Sequence, residues 1–278
     1  MQVLCPVCER SMKYFGTADY YLPEAPRMAT PLFSCAGCGA LYRNIAERQL
    51  CGHRDVASYV KPGMEERFRK QRTNFFKVLV ALATRTAGHP PRKCLDFGCS
   101  YGHLLLLLRD MGCRVCGVEA ARQARDACQT HHLRVSCDLD ALDGSEQFDL
   151  ITLIDSLYYL PRPKPVLSKL RTQLADGGLL LIRIANRNWI LRMLKIAAHR
   201  EHFDNWLGDA IVGYSKSSLE LLLHSTGYRI LSTHYMERGK QHPDWPRKLF
   251  YLLGTSITCG SFGSVVMSPG IIVLATKQ

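Results

Sequence analysis

The chain predicts an α/β protein: an open, doubly wound sheet preceded by a small metal-binding ribbon. Three observations carry that expectation. Beyond residue 90, apolar runs of strand length alternate with segments of helical spacing, the pattern of a mainly parallel sheet with helices on both faces. The run Cys94-Leu95-Asp96-Phe97-Gly98-Cys99-Ser100-Tyr101-Gly102-His103, followed by Leu104 to Leu108, reads as a buried strand ending in an acidic residue, then a glycine turn entering an apolar helix. That geometry brings backbone N–H groups up to a ligand. Near the start, Cys5-Pro6-Val7-Cys8 and Cys35-Ala36-Gly37-Cys38 form two Cys-x2-Cys knuckles, whose four thiolates suit tetrahedral zinc.

Residues 1–50 read as the ribbon module, because the loop over 9–34 is long enough for ribbon strands. So short a segment builds little core, and metal binding would stabilise its fold outright. A site of Cys5, Cys8, Cys35 and Cys38 alone is closed, so its role is structural; the competing reading is four unrelated buried cysteines. Cys51-Gly52-His53 lacks a partner knuckle and reads as loop, while Cys113 and Cys116 fall along a predicted strand and read as core. Residues 51–90 are a linker carrying a long helix from Met64 to Ala87, with Phe68, Phe75, Phe76, Val78, Leu79 and Leu82 on its apolar side.

Residues 91–278 hold the sheet. Cys116-Gly117-Val118-Glu119 is a second short strand whose terminal carboxylate can accept both hydroxyls of a ribose. Next come a helix from Ala120 to Thr130, a strand from Leu133 to Ser136 ending near Asp138-Leu139, and the nearly continuous apolar strand Phe148 to Asp155, a run expected of a strand buried on both faces. A helix from Pro165 to Leu174, a turn at Asp176-Gly177-Gly178 and a strand from Leu179 to Ile184 follow. Ser215 caps a helix carrying Leu219 and Leu221 to Leu223, and strands begin at Gly227 and Gly270. Two insertions interrupt the pattern, at 186–213 and 239–268. The first is basic and apolar, suiting a cover over an anionic or amphipathic substrate, an interfacial helix, or a packed helix with a solvated basic face. The second places Arg247-Lys248 before Leu249 to Leu253, as a substrate-side helix or a membrane-surface contact.

These ordered motifs resemble class I S-adenosylmethionine (SAM)-dependent methyltransferases, with Asp96-x-Gly98-x-Ser100-x-Gly102 matching the family's acidic residue and Gly-x-Gly-x-Gly turn. Ser100 stands where the family has its middle glycine. The spacing differs from the G-x-G-x-x-G turn that seats a pyrophosphate. The resemblance implies a Rossmann-like seven-stranded sheet with its last strand antiparallel, and SAM as cofactor. It assigns Glu119 to the ribose hydroxyls, Asp96 with Phe97, Gly98, Cys99 and Gly102 to the methionine end, Asp138 and Leu139 to the adenine, and Asp155 to the ligand crevice. It further implies in-line methyl transfer, in which the protein aligns the reactants and excludes water. Many small-molecule members carry a Glu-His pair after the fourth strand; here Tyr158-Tyr159 stands there. Tyr159, His202 and Asp155 are the candidate catalytic residues, and Tyr59 a candidate lid.

The composition, with 278 residues, 47% hydrophobic and 22% charged, is that of a globular enzyme carrying an appended module. The net charge of +12 fits RNA, an anionic nucleotide-sugar or an acidic membrane surface. Ribbon, linker helix and sheet together look like bacterial methyltransferases acting on sugars, glycans and secondary metabolites. The Tyr/His constellation of those that C-methylate nucleotide-linked deoxysugars has no match here. The first expectation is therefore a small-molecule or glycan acceptor. An RNA (rRNA or tRNA) methyltransferase is the alternative, against which stands the lack of an Asn-Pro-Pro-Tyr motif. A non-catalytic SAM-binding regulatory module is a third. Twelve cysteines, no secretory signal and no membrane-spanning apolar run lead to the expectation of a cytoplasmic protein, with peripheral membrane contact left open.

Overall fold

A computed structural model of the chain describes residues 2–20, 28–45, 65–186, 188, 210–236 and 245–278. The N-terminal module contributes strands β1 (Lys13–Tyr20), β2 (Met28–Ser34) and β3 (Leu41–Arg43), paired antiparallel in that order. Helix α1 (Glu65–Ala87) leads into the main sheet. Its alternating elements are β4 (Lys93–Phe97), α2 (His103–Asp110), β5 (Arg114–Val118), α3 (Arg122–Thr130), β6 (Val135–Ser136), β7 (Phe148–Ile154), α4 (Pro163–Gln173) and β8 (Leu174–Ala185). Then follow β9 (Val212–Gly213), α5 (Lys216–Ser225), β10 (Tyr228–Tyr235), α6 (Trp245–Gly260) and β11 (Gly270–Lys277).

The main sheet has seven strands in the order β10-β11-β8-β7-β4-β5-β6. β11, the last, runs antiparallel to both neighbours, and the β8-β7-β4-β5-β6 pairs are parallel. Alternation along the strands shows the double winding. In β11, Ile271, Val273 and Ala275 join the core cluster beneath α4 and α5, whereas Ile272 and Leu274 join the one beneath α1 and α2. In β8, Leu180, Ile182 and Ile184 fall on the first side, and Leu179 and Leu181 on the second. Cys113 and Cys116 are buried in this framework, as read from the sequence. Asp149 sets the register of the central pair, its carboxylate accepting the N–H groups of Arg92 (2.9 Å) and Lys93 (3.0 Å).

Two local readings change. Asp176-Gly177-Gly178 is a bulge inside β8, where the pairing of Phe148 with Leu174 jumps to that of Leu150 with Leu179; Gly177 supplies the left-handed φ of 75° the bulge requires. The helix expected from Ala120 begins at Arg122, because Ala121 is extended and its N–H bonds the Glu119 side chain. The Ser215 cap holds in full: Ser215 Oγ accepts the Ser218 N–H, and Ser218 Oγ accepts the Ser215 N–H.

The N-terminal module does not end at residue 50 in space. β9 pairs with β3 and completes a four-stranded sheet, so the end of the first insertion is part of the ribbon. Arg43 pins it. This side chain is fully buried, with Nε donating to Ala210 O (3.2 Å) and Nη1 to Thr30 Oγ1 (2.6 Å) and Ala18 O (3.3 Å), its guanidinium stacked 5.2 Å from the Tyr20 ring. From the other side, Asn188 Nδ2 donates to Gly39 O and Gly213 O, and the Ser215 and Ser217 hydroxyls donate to Cys38 O. Arg43→Met, which leaves several buried acceptors unpaired, is expected to destabilise the whole chain by about 3 kcal/mol. Denaturant unfolding of the full chain measures it; an unchanged midpoint would mean that the ribbon docks independently of this side chain.

Candidate active site and cysteine centre

The site forms at the carboxyl ends of the parallel strands, where open α/β sheets bind ligands. β4 ends in a turn whose Gly98, Ser100 and Gly102 all have left-handed φ, of 80°, 51° and 71°. A Cβ on Gly98 would come within 2.5 Å of Ser156 Cβ, and one on Gly102 within 2.5 Å of Leu133 Cδ1, so both positions require glycine. Ser100 adopts its strained conformation under restraint, since its N–H donates to Glu119 Oε2 at 2.8 Å. Glu119 Oε1 accepts the Ala121 N–H at 2.9 Å. The carboxylate is thereby fixed in orientation, and each oxygen keeps lone-pair capacity for a ligand hydroxyl.

Four N–H groups of the turn are bonded within the protein. Gly98 N–H (2.7 Å) and Cys99 N–H (3.1 Å) both reach Val118 O, Ser100 N–H reaches Glu119, and Gly102 N–H reaches Cys99 O. These four donors are therefore not the ones that would face a ligand. Phosphate recognition at such turns needs those donors; a nucleoside without phosphate, read by carboxylates, does not. The turn therefore fits SAM better than a dinucleotide.

Asp96 lies in β4 beside Glu119's strand and is buried. Thr152 Oγ1 on the neighbouring β7 donates to its Oδ1 at 2.6 Å. Burial pushes the Asp96 carboxyl up to about 7, the Thr152 hydrogen bond working the other way. Asp155 follows the end of β7 with a left-handed φ of 57° and forms a buried ion pair with Arg183 of β8, whose backbone carbonyl accepts the Asp155 N–H. Arg183 belongs to the strand expected from Leu179 to Ile184. It is buried in the sheet, with its guanidinium 5.8 Å from the Phe75 ring.

Arg72 on α1 was not singled out from the sequence. Its charge couples to Tyr158, Arg183, Tyr159 and Asp96, and burial pulls it down to about 10. The signal was present: Arg72 sits three and four residues before Phe75 and Phe76, on the face of α1 that packs into the core. Tyr158 and Tyr159 occupy a short 3-10 turn with ring centroids 4.6 Å apart. Ser156 Oγ, beside Gly98, is buried with no hydrogen-bond partner among the described residues, as a ligand-facing hydroxyl would be. Phe97 is half-buried, and the Cys99 side chain packs under the turn against Gly117. Leu139 is buried in the core, and Asp138 is exposed, its Oδ1 accepting the Ala141 N–H. His202 and Tyr59 lie outside the described residues.

The two knuckles have the same backbone. Cys5 O accepts Glu9 N–H and Cys35 O accepts Gly39 N–H; Cys5 N–H bonds Arg10 O and Cys35 N–H bonds Ala40 O. Glu9 and Gly39, the equivalent positions, both have left-handed φ, 62° and 77°. The four Sγ atoms lie within 4.8 Å of one another, with Cys5 to Cys38 at 3.6 Å and Cys8 to Cys35 at 3.4 Å. Tetrahedral thiolates around zinc stand about 3.8 Å apart. The donor set fits such an ion. The Cys5–Cys38 contact lowers the Cys5 thiol and raises that of Cys38, as for two sulfurs close enough to share one proton.

Residues 67–233, more than half of the chain, match the family profile described as a methyltransferase domain. The chain belongs to the class I SAM-dependent methyltransferases. Among curated relatives, this methyltransferase is 28% identical over 135 residues to the ubiquinone biosynthesis O-methyltransferase of Idiomarina loihiensis, covering 45% of this chain and 55% of that one. It is 26% identical over 158 residues to the protein of the same name from Stutzerimonas stutzeri, covering 53% and 64%. The chain thus aligns with little more than half the length of the first of them. Among solved structures, the plantazolicin methyltransferase BpumL in complex with SAH has a TM-score of 0.52 at 16% identity, covering 83% of this chain and 97% of that one, a likeness of fold.

The raised Asp96 carboxyl has a consequence for stability. Its folded value, about 7, lies above the ordinary carboxylate value of 3.8, so the folded state holds the proton more tightly. That contribution is fully present below about pH 4 and is lost as the pH rises toward about 7. Asp96→Asn removes the loss, so the variant should gain on the order of 2 kcal/mol relative to wild type between about pH 5 and about pH 8. Urea unfolding of both proteins at the two pH values measures it; parallel curves would mean that Asp96 is ionised throughout.

Proposed function

We propose that this methyltransferase moves a methyl group from SAM to a small molecule, sugar or secondary metabolite by in-line displacement. The observation that carries the reading is the pair of buried carboxylates, Asp96 and Glu119, on adjacent parallel strands, flanking a glycine turn that offers its own N–H groups to the protein. When bound, SAM supplies a methyl group already activated by its sulfonium. Glu119 would receive the ribose hydroxyls, Asp96 with Phe97, Gly98, Cys99 and Gly102 would border the methionine end, and Asp138 and Leu139 the adenine. Arg72 adds a cation for a carboxylate at the same edge. Relatives named for ubiquinone biosynthesis favour a hydroxyl oxygen as acceptor atom.

The chain's own contribution is alignment, with proton removal where the acceptor carries a proton. Asp155, engaged by Arg183, serves to orient groups in the crevice. Tyr159, its ring tilted against that of Tyr158, would position the acceptor or take its proton, and His202 is the remaining candidate base. Glu119→Ala is expected to weaken SAM binding about tenfold or more, read by calorimetry. Transfer of labelled methyl from SAM into fractionated extract should place label in a low-mass or glycan fraction. Label lost on RNase treatment would replace this reading with an RNA methyltransferase, and tight SAM binding without any transfer would replace it with a regulatory module.

Cys5, Cys8, Cys35 and Cys38 are proposed to hold one structural zinc, with no position open for substrate. Purified protein should contain about one zinc per chain by elemental analysis. Chelation should lower the melting temperature by several degrees, roughly what 2 kcal/mol does in a chain of this size; metal-free protein indifferent to chelator would rule the centre out.

A further inference from the structure

Helix α6 is inverted. Its inward positions are small or polar: Gly254 packs so closely on Met267 that a Cβ would come within 2.5 Å of Met267 O, and Thr258 is fully buried. The Thr258 hydroxyl accepts the N–H groups of Met267 (2.8 Å) and Ser268 (2.7 Å) and donates to Gly254 O. Among the described side chains of the helix, the large apolar ones point outward. Leu249, Leu252, Leu253 and Ile257, spaced along one helical face, are all exposed, Leu252 by 66%. A soluble helix normally does the reverse. The other exposed large apolar side chains among the described residues, such as Leu4, Val78 and Met111, belong to other elements scattered along the chain, as on any protein surface.

The turn after α6 extends the same surface. Phe262 is 96% exposed and Val265 50%. Phe262 also holds a left-handed φ of 51°, a conformation bulky side chains avoid, enforced by the Phe262 N–H bond to Cys259 O and the Gly263 N–H bond to Thr258 O. The exposed Phe262 ring thereby continues the apolar surface of α6.

Charge selects that phase. Residues 245–278 contain no Asp or Glu, and α6 opens with Arg247 and Lys248. Lys216, which also lies near Glu220, reaches Gly263 O beside Phe262. A second copy of this chain, itself +12, would bring net positive charge against net positive charge. An anionic lipid surface satisfies both the exposed apolar face and the basic start.

We infer that the outer face of α6 and the Phe262 turn dock on an anionic membrane surface. Docking is peripheral: no described helix is long and apolar enough to cross a bilayer. It also has an orientation. α6 leaves the carboxyl end of β10 and returns to the start of β11, and Asn186 Nδ2 at the end of β8 donates to Val266 O and Ser268 O. The docked face therefore belongs to the same sheet edge as Asp155 and Arg183, and would bring the site to acceptors held in the lipid. The inference does not depend on methyl transfer and is tested without it.

The test is co-sedimentation of the full chain with phosphatidylcholine vesicles, with and without phosphatidylglycerol. Binding is expected only to the anionic vesicles and should weaken with salt. The double variant Leu252→Ser, Leu253→Ser, and separately Phe262→Ser, should each bind about tenfold more weakly, with unchanged melting temperature because the side chains are exposed. Arg247→Gln with Lys248→Gln should lose a similar factor on anionic vesicles. Failure of wild type to bind anionic vesicles overturns the inference, as does undiminished binding by the folded apolar variants. A dimer seen by sedimentation velocity and abolished in the Leu252/Leu253 variant would assign the face to a second copy instead.

Discussion

The arrangement turns on a shared sheet. β9 lies at the end of the first insertion, more than 160 residues from β3 in sequence, yet it pairs with β3 and makes the N-terminal ribbon inseparable from the catalytic domain. The hydrophobic core confirms the fusion, since Cys5, Val7, Cys35 and Cys38 belong to the same cluster as Leu219, Leu222 and Tyr228. A guanidinium as deeply buried as that of Arg43 is costly unless its donors are satisfied. Here carbonyls from β1 and the segment before β9 accept them, so the cost is met only when both parts are in place. One further bond carries the restraint to the site: Ile211 N–H donates to Tyr158 O, inside the turn that presents Tyr158 and Tyr159. The ribbon thus restrains the turn that carries Tyr158 and Tyr159.

At the other end of the site the governing term is charge held out of water. Asp96, Glu119, Asp155, Arg72 and Arg183 converge on one sheet edge, and each charge is handled differently. Glu119 is solvated by two backbone N–H groups, Asp155 by Arg183, and Asp96 by one hydroxyl that only partly offsets its burial. A site preorganised in this way orients ligand polar groups without rearranging first, which is where an enzyme using an already activated donor gains rate. The internal use of the turn's N–H groups belongs to the same logic, because a cofactor without phosphates asks for carboxylates and close packing.

Much of this was legible in the residues. The strand and helix order, the carboxylates at Asp96 and Glu119, the two cysteine knuckles and the Ser215 cap are local patterns, set by side-chain periodicity, backbone φ and donor type over a few residues. The methyltransferase family followed from their order. The departures came where a neighbour distant in sequence supplied the partner. The ion pair of Arg183 could not be read locally, because its counter-ion, Asp155, follows another strand. Arg72 looked like one more cation in a polar stretch, although its register with Phe75 and Phe76 marked it as inward. The glycines at 177 and 178 read as a turn because a bulge is defined by the strand opposite.

The sequence by itself determined the architecture, the cofactor class and the four-cysteine centre, since each is encoded in residues a few positions apart. Only the tertiary structure decided that the ribbon is completed by β9, that N–H groups of the glycine turn bond within the protein, and that α6 shows its leucines to the outside. Those outcomes depend on which surfaces meet. A hydrophobic residue reads the same in sequence whether its face is covered by the core or left for a membrane, and a buried arginine reads the same as an exposed one until the fold brings up the carbonyls that accept its protons.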